Sequence, residues 1–299
     1  MNKPKRHHYI PQFILRKFCY EDEELWFYDI KTKVLESSST RDIFMGENLY
    51  LDKSNGKDSL EIEKEFGKYE NEISQILDKQ FYDQKNIYIT KEEEESIKLF
   101  YALIGFRSKN AAEYFQTCKD ENFISFYKNY QKDEDFDQLW KRNLKNLAKC
   151  RSYKQVKESP NIDDPFKLFM LRDTTGAMGS YLKVIEAQND EFVLTDAFPL
   201  VIYGLTPQGV PINLFEMFPL SPKRAILLIY NFVPLLVDYN DSILPKGFFT
   251  KPELEDRKIK LYVKKTNDEY VRALNKKTVE ITRIGIVSRT GDFKQYFSD

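Results

Sequence analysis

Two histidines serve the whole 299-residue chain, and they are neighbours: His7 and His8, inside KRHHYIPQFILRKF at positions 5–18. Imidazole is the side chain best suited to move protons near neutral pH, and its neutral form ligates transition metals. Adjacent residues of an extended segment point to opposite sides, so the two rings are poorly placed to hold one ion together. One ring is expected to face a site while the other packs or orients. Partners must then come from elsewhere in the chain, carboxylates foremost. The plainer alternative is that the pair fastens the N-terminal segment to backbone groups, or stands exposed.

Other chemistry-bearing groups are spread along the chain. Arg107 ends the apolar run Leu99–Phe106. A guanidinium there either pairs with a carboxylate across a helical layer, which is the default, or is aimed at an anionic ligand. Thr195 and Asp196 stand in LTDAFP at 194–199, where a strand enters a turn. Such loops present functional groups on a rigid base, and Asp and Thr are equally standard turn formers. Glu61, Glu63, Glu65 and Glu70 crowd one helix, and their mixed spacing reads first as a solvated face, with a metal-binding carboxylate among them as the alternative. Cys19, Cys118 and Cys150 form no CxxC pair, and buried thiols are commonly inert. No Walker, dinucleotide-binding, HExxH, GxSxG or zinc-finger pattern occurs, and two histidines exclude a three-His zinc site.

The elements that must position these groups can be read from pattern. Pro11 suits a first helical turn, with Phe13, Leu15 and Phe18 as anchors of a short helix. Leu25–Ile30 and Val34–Glu36 predict a hairpin, and Asn48–Asp52 a further short strand. Leu60, Phe66, Tyr69, Ile73, Ile76, Leu77 and Phe81 lay an apolar stripe along a helix beginning near Ser59. Thr90 and Glu93 form a capping-box signature for a helix running to about Phe115. Helices are expected at Glu121–Tyr130 and Phe136–Cys150, and another opens at Asp163–Asp164–Pro165. That last region counts Leu182 and Ile185 among its apolar members. From Glu191 the texture turns to strands at Glu191–Thr195, Leu200–Tyr203 and Ala225–Tyr230. Tyr230–Pro252 reads as loop, Asp268–Asn275 as helix, and Glu280–Ser288 as a closing strand or helix.

Short N-terminal strands, a helical middle and C-terminal antiparallel strands define an α+β order, not alternating βαβ units. The chain is expected to form a single intertwined domain over residues 1–299, with a helical subregion at about 59–188 and a strand-rich one at about 189–299. A hydrophobic fraction of 41%, with 15% aromatics, excludes a disordered chain. Only 11 glycines argue against a glycine-built phosphate loop. Charges balance at 46 basic and 47 acidic, so no whole-protein field draws nucleic acid or anionic membrane. Lys3–Lys17 is nevertheless a local basic opening without an acid. Scarce cysteine, no secretory h-region and no apolar run of membrane length point to the cytoplasm and to no membrane partner.

The opening segment His7–Phe18 resembles a bacterial and phage-borne family of domains of unknown function, whose members open with an HHYxPQFxLRxF-like signature. The likeness extends through most of the chain. Leu60–Leu77, with Glu61 and Glu70, is similar to the family's glutamate-bearing helix, and Phe106-Arg107-Ser108 to its helical arginine motif. Leu194–Pro199 is similar to its Ser/Thr-Asp-Asn-Pro turn, although Ala197 and Phe198 here precede Pro199. Phe218–Pro222 matches its Pro-Leu-Ser-Pro segment. The resemblance selects His7, His8, Arg107, Thr195 and Asp196 as site residues and implies no particular reaction.

Two readings follow. In the first, the protein hydrolyses or transfers a phosphate ester, nucleic acid included. His7 or His8 then acts as general base or metal ligand, Asp196 as metal ligand or orienter, and Arg107 as clamp on phosphate charge, with a divalent metal as the candidate cofactor. In the second, it is a non-catalytic protein-interaction factor in phage–host conflict, for which balanced charge and abundant aromatics suit a protein partner.

Overall fold

The computed structural model describes residues 6–52, 60–109, 111–113, 128, 135–168, 170, 179–205, 208–236 and 248–297. The chain opens with β1 (Arg6–His8), the short helix α1 (Gln12–Leu15), the hairpin strands β2 (Glu24–Asp29) and β3 (Leu35–Ser39), and β4 (Met45–Glu47). Pro11 stands at the N-cap of α1, and Ile14, Leu15 and Phe18 are fully buried. The strand expected at Asn48–Asp52 is a turn instead, with Asn48 at φ 55°. The pairing strand lies just before it, and sets His7 opposite Gly46 and His8 opposite Met45.

Next come α2 (Glu61–Gln80), β5 (Asn86–Ile89), α3 (Lys91–Phe106), α4 (Phe136–Leu147) and α5 (Tyr153–Glu158). Helix α2 buries Ile62, Phe66, Tyr69, Ile73 and Leu77 along one face. Thr90 and Glu93 make the expected capping box at the start of α3. That helix stops at Phe106, short of the expected Phe115. Arg107 takes its C-cap, and the Ser108 hydroxyl accepts the Ala111 N–H to begin a fresh turn. Asp135 caps α4, and Trp140, Leu144 and Leu147 are buried as the pattern predicts. The helix expected at Glu121–Tyr130 falls, but for residue 128, outside the described residues.

The remainder holds β6 (Ser180–Ala187), β7 (Leu194–Thr195), β8 (Leu200–Leu205), β9 (Pro211–Pro219), β10 (Arg224–Tyr230), α6 (Val233–Leu236), β11 (Glu253–Glu255), β12 (Lys258–Thr266), α7 (Asp268–Glu280) and β13 (Gly285–Ser288). A seven-stranded sheet runs β11-β12-β6-β10-β9-β8, with β5 also paired to β12. Its pairs are antiparallel except β12 with β6, which is parallel. A second sheet runs β3-β2-β13-β7 and joins the two ends of the chain. Gly285 is required there, because a Cβ would lie 2.2 Å from the Phe27 ring. The protein is therefore an α+β fold. No helix among the described residues is long and apolar enough to cross a membrane.

Strand β6 lies where the sequence reads as helical. It is buried on both faces, so the alternation that marks a half-exposed strand is lost, and Leu182 and Ile185 mimic a helical step. Strand β10 shows how the sheet is covered. Its Ile226 and Leu228 join a core with Phe66, Phe100, Trp140 and the N-terminal anchors, while Ala225, Leu227 and Ile229 join Val271 and Leu274 of α7. Buried Arg224 clamps the end of α2 to this sheet: it pairs with Glu186 and donates to the Phe81 and Gln84 carbonyls at 2.9 Å. The helix that carries Glu63 and Glu70 is thus fixed at its far end.

Candidate functional site

The pairing of β1 with β4 sends the two histidines to opposite sides, as the extended pattern requires. His7 is fully buried, and His8 is half-buried at the mouth of a cleft. His7 Nδ1 accepts the Tyr50 backbone N–H at 2.8 Å, and the two rings stack 5.5 Å apart. An accepting Nδ1 leaves the proton on Nε2, which has no partner among the described residues. Burial, then the charges of Lys141 and His8, hold the His7 pKa below 6.5. His7 is therefore a neutral ring, held in the core and turned away from the cleft.

Behind the cleft stands Arg107, only 2% exposed. One guanidinium nitrogen donates to Glu70 Oε1 at 2.6 Å and another to the His8 carbonyl at 2.7 Å. Its carbon sits 4.3 Å from the Phe66 ring centre. The carbonyls that end α3 are taken by side chains from elsewhere: Tyr50 Oη donates to Arg107 O at 2.7 Å and Trp140 Nε1 to Phe106 O at 3.1 Å. Arg107 thus makes the ion pair that the default reading expects, and it also fixes the backbone of His8. Its charge is committed inside the protein and does not face the cleft.

The cleft is an open groove of ≈ 450 Å³ between two walls. Arg6, His8, Gln12, Phe13 and Arg16 come from the N-terminal segment, and Glu63, Gly67, Glu70, Asn71 and Ser74 from α2. The α2 residues recur at three- and four-residue steps and so share one helical face. Glu63 and Glu70 accordingly belong to the cleft and not to a purely solvated face. Glu63 Oε2 is buried with no hydrogen-bond partner. Burial raises the Glu63 pKa to about 7, against the opposing pull of Arg107 and with help from Glu70. Burial also lowers the His8 pKa below 6.5, and the neighbouring Thr40 and Arg41 backbone and Glu70 only partly offset it. Gln12 Nε2 lies 3.3 Å from His8 Nε2, and Gln12 Oε1 accepts from Arg16 at 3.1 Å. Arg6 pairs with Asp42 at the surface.

Gly67 is out of place in a helix interior, where it costs about 0.5–1 kcal/mol relative to alanine. Packing does not demand it, for a Cβ at Gly67 would meet nothing within 4 Å. Its missing side chain leaves the α2 wall bare where it lines the cleft. Sequence reasoning missed Glu63, Gly67 and Asn71 as a set. A glycine flanked by Glu63 and Glu70 on an otherwise strong helix was the signal that could have found them.

Thr195 and Asp196 occupy a different place. Thr195 is buried in β7 opposite Ile286, and its hydroxyl accepts the Ala197 N–H at 3.2 Å. The Asp196 carboxylate accepts the backbone N–H groups of Arg283, Ile284 and Gly285, at 2.9 Å for Ile284 and 3.1 Å for Gly285. Asp196 reaches the N-terminal segment electrostatically, where burial and then its charge push the Tyr9 phenol up. The structure thus brings His8 to the cleft, sets His7 and Arg107 behind it, and puts Thr195 and Asp196 in the neighbouring sheet. Among the described residues no group of three or more His, Cys, Asp and Glu is placed to hold a metal ion. Of the cysteines, Cys150 is buried with its thiol raised to about 11, and Cys118 lies outside the described residues.

The fold and this cleft define an α+β protein with a half-buried imidazole and a half-buried carboxyl sharing one polar groove. The chain belongs to the family described as protein of unknown function (DUF4238), which matches residues 6–292. Neither the curated proteins nor the solved structures contain a match to it.

Proposed function

We propose that the cleft between the N-terminal segment and α2 is an acid–base site for hydrolysis or transfer at a phosphate ester, nucleic acid included. One observation carries this reading. A half-buried imidazole and a half-buried carboxyl, one of whose oxygens is buried and partnerless, line the same groove, with Arg6 and Arg16 beside them. Both groups are tuned toward neutrality: His8 is neutral and can take a proton, and Glu63 near its pKa of about 7 can give one. Arg6 and Arg16, which pair with Asp42 and Glu23 at the groove's edge, present their remaining guanidinium N–H groups to an anionic ester. Arg107 acts as a positioning residue through the His8 backbone and Glu70. His7, Thr195 and Asp196 support the site by holding the segments that build it. The test is turnover of a phosphodiester panel, RNA included, between pH 5 and 9. We expect a bell, falling on the acid side as His8 protonates and above about pH 7 as Glu63 ionises. His8→Ala and Glu63→Gln should each lower the rate about 10²–10⁴-fold while the protein still melts cooperatively. Unchanged rates in both variants would defeat the proposal.

A second reading, a protein-docking factor in phage–host conflict, draws on the apolar edge strand β8, where Tyr203 and Leu205 are 66% and 64% exposed. It expects a Tyr203→Lys/Leu205→Lys variant to lose any effect on phage plating while His8→Ala keeps it.

A further inference from the structure

The cleft has chemically distinct parts. Guanidinium groups of Arg6 and Arg16 belong to the N-terminal wall, while the α2 wall offers the Asn71 amide and the Ser74 hydroxyl around a bare stretch of backbone at Gly67. A Cβ there would meet nothing within 4 Å among the described residues, so the space beside Gly67 is open. The N-terminal wall also carries Phe13, whose ring leans on Phe100 at 6.1 Å and is thereby held in place. A bare helix surface and a fixed aromatic ring lining one cleft suit a flat group. The groove's ≈ 450 Å³ is of the size that receives a small ligand. A ligand with an anionic end and a flat, hydrogen-bonding ring suits these parts of the lining: phosphate for the arginines, stacking for Phe13, hydrogen bonds for the Asn71 amide, and a donor for the Ser74 hydroxyl, which itself donates to the Asn71 carbonyl at 3.0 Å.

We propose that Gly67 is the specificity-determining position of the cleft, and that the bare helix there and Phe13 together receive the nucleobase of a nucleotide whose phosphate lies at Arg6 and Arg16. This rests on the phosphate-ester reading of the same site and names its substrate class. Aromatic stacking of a base is tolerant of base identity, so both purines and pyrimidines are accommodated. Asn71 supplies whatever preference exists.

The experiment is a calorimetric titration of the full chain with adenosine and cytidine 5′-monophosphates, ribose 5-phosphate and inorganic phosphate. Wild type, Gly67→Ala and Phe13→Leu are compared, with melting curves for each. Nucleotides should bind wild type tighter than ribose 5-phosphate does. Both variants should weaken nucleotide binding about tenfold and leave ribose 5-phosphate and phosphate unchanged. Gly67→Ala should also melt higher by about 1–3 °C, which separates a blocked subsite from a damaged fold. Nucleotides binding no tighter than ribose 5-phosphate, or an equal loss for all ligands, would overturn the proposal. Turnover on the same proteins tells the two readings apart. Selective nucleotide binding without hydrolysis of any ester defeats the catalytic reading and supports the base subsite. Hydrolysis of nucleotides that ignores Gly67→Ala defeats the base subsite alone.

Discussion

Asp196 and Glu63 are both carboxylates drawn into the fold, and their surroundings are opposite. Asp196 follows β7 and takes three backbone N–H groups from the segment that enters β13. Its acceptor capacity is spent on joining two strands. Glu63 sits on α2 with an oxygen that meets no donor, beside a glycine that packing does not need. The first arrangement stabilises the protein, and the second costs it stability. A buried polar group left unsatisfied is expensive, so the fold gives up stability where Glu63 Oε2 stands. The difference separates a carboxylate that joins two strands from one that lines a cleft with an oxygen left unpartnered.

Experiments can break or sharpen that contrast. The largest effect is expected at the Arg107–Glu70 pair, where Arg107→Met should cost about 3–5 kcal/mol in a denaturant melt. The Arg107→Met/Glu70→Met double variant should recover much of that loss and still disturb His8. A double variant with full cleft function would remove Arg107 from its positioning role. Next comes Asp196→Ala, which strands three backbone donors and should cost about 3 kcal/mol. Below its own melting temperature that variant should retain whatever the cleft does; selective loss of function there would return Asp196 to the site.

Glu63→Gln should have the reverse sign. The Glu63 carboxyl titrates near 7 in the folded chain against an ordinary 4.5, so the folded state disfavours its charge. The stability tied to its neutral form is present at low pH and is lost as pH rises from 4.5 through about 7. Glu63→Gln should therefore stabilise on the order of 2 kcal/mol more at pH 8 than at pH 5. Equal effects at both values would mean that the carboxyl is hydrated after all. His7 works on the other side of neutrality. Its pKa is depressed in the fold, so wild-type stability should decline as pH falls below 6.5, and His7→Asn, which keeps an acceptor for the Tyr50 N–H, should flatten that decline. Smallest in stability is His8→Ala, about 1 kcal/mol, since its half-buried ring meets only Gln12 and the Thr40 and Arg41 backbone. A large drop in melting temperature would show that His8 holds the fold as His7 does.

Much of this was legible in the chain. The stripe Phe66, Tyr69, Ile73 and Leu77, the Thr90–Glu93 cap and the β2–β3 hairpin are local, and local chemistry predicts them. The opposite orientation of His7 and His8 follows from the two-residue period of a strand. Strands β5, β6, β9 and β12 escaped because their registers depend on partners far away in sequence. β6 is the clearest case, since burial on both faces erases its alternation. The cleft was half legible. His8 was marked, but Glu63 was placed on a solvated face because nothing local says what lies opposite a helix.

The sequence by itself determined the α+β order, the caps, the buried helical stripes and the split of the histidine pair, all of which rest on interactions within a few residues. The tertiary structure alone decided which charges are spent and which remain open. Arg107 meets Glu70 and the His8 carbonyl, Asp196 meets the chain nearly ninety residues on, and Glu63 faces a cleft closed by the N-terminal segment. Burial and pairing are properties of what surrounds a group, and the surroundings of each of these come from the far side of the fold.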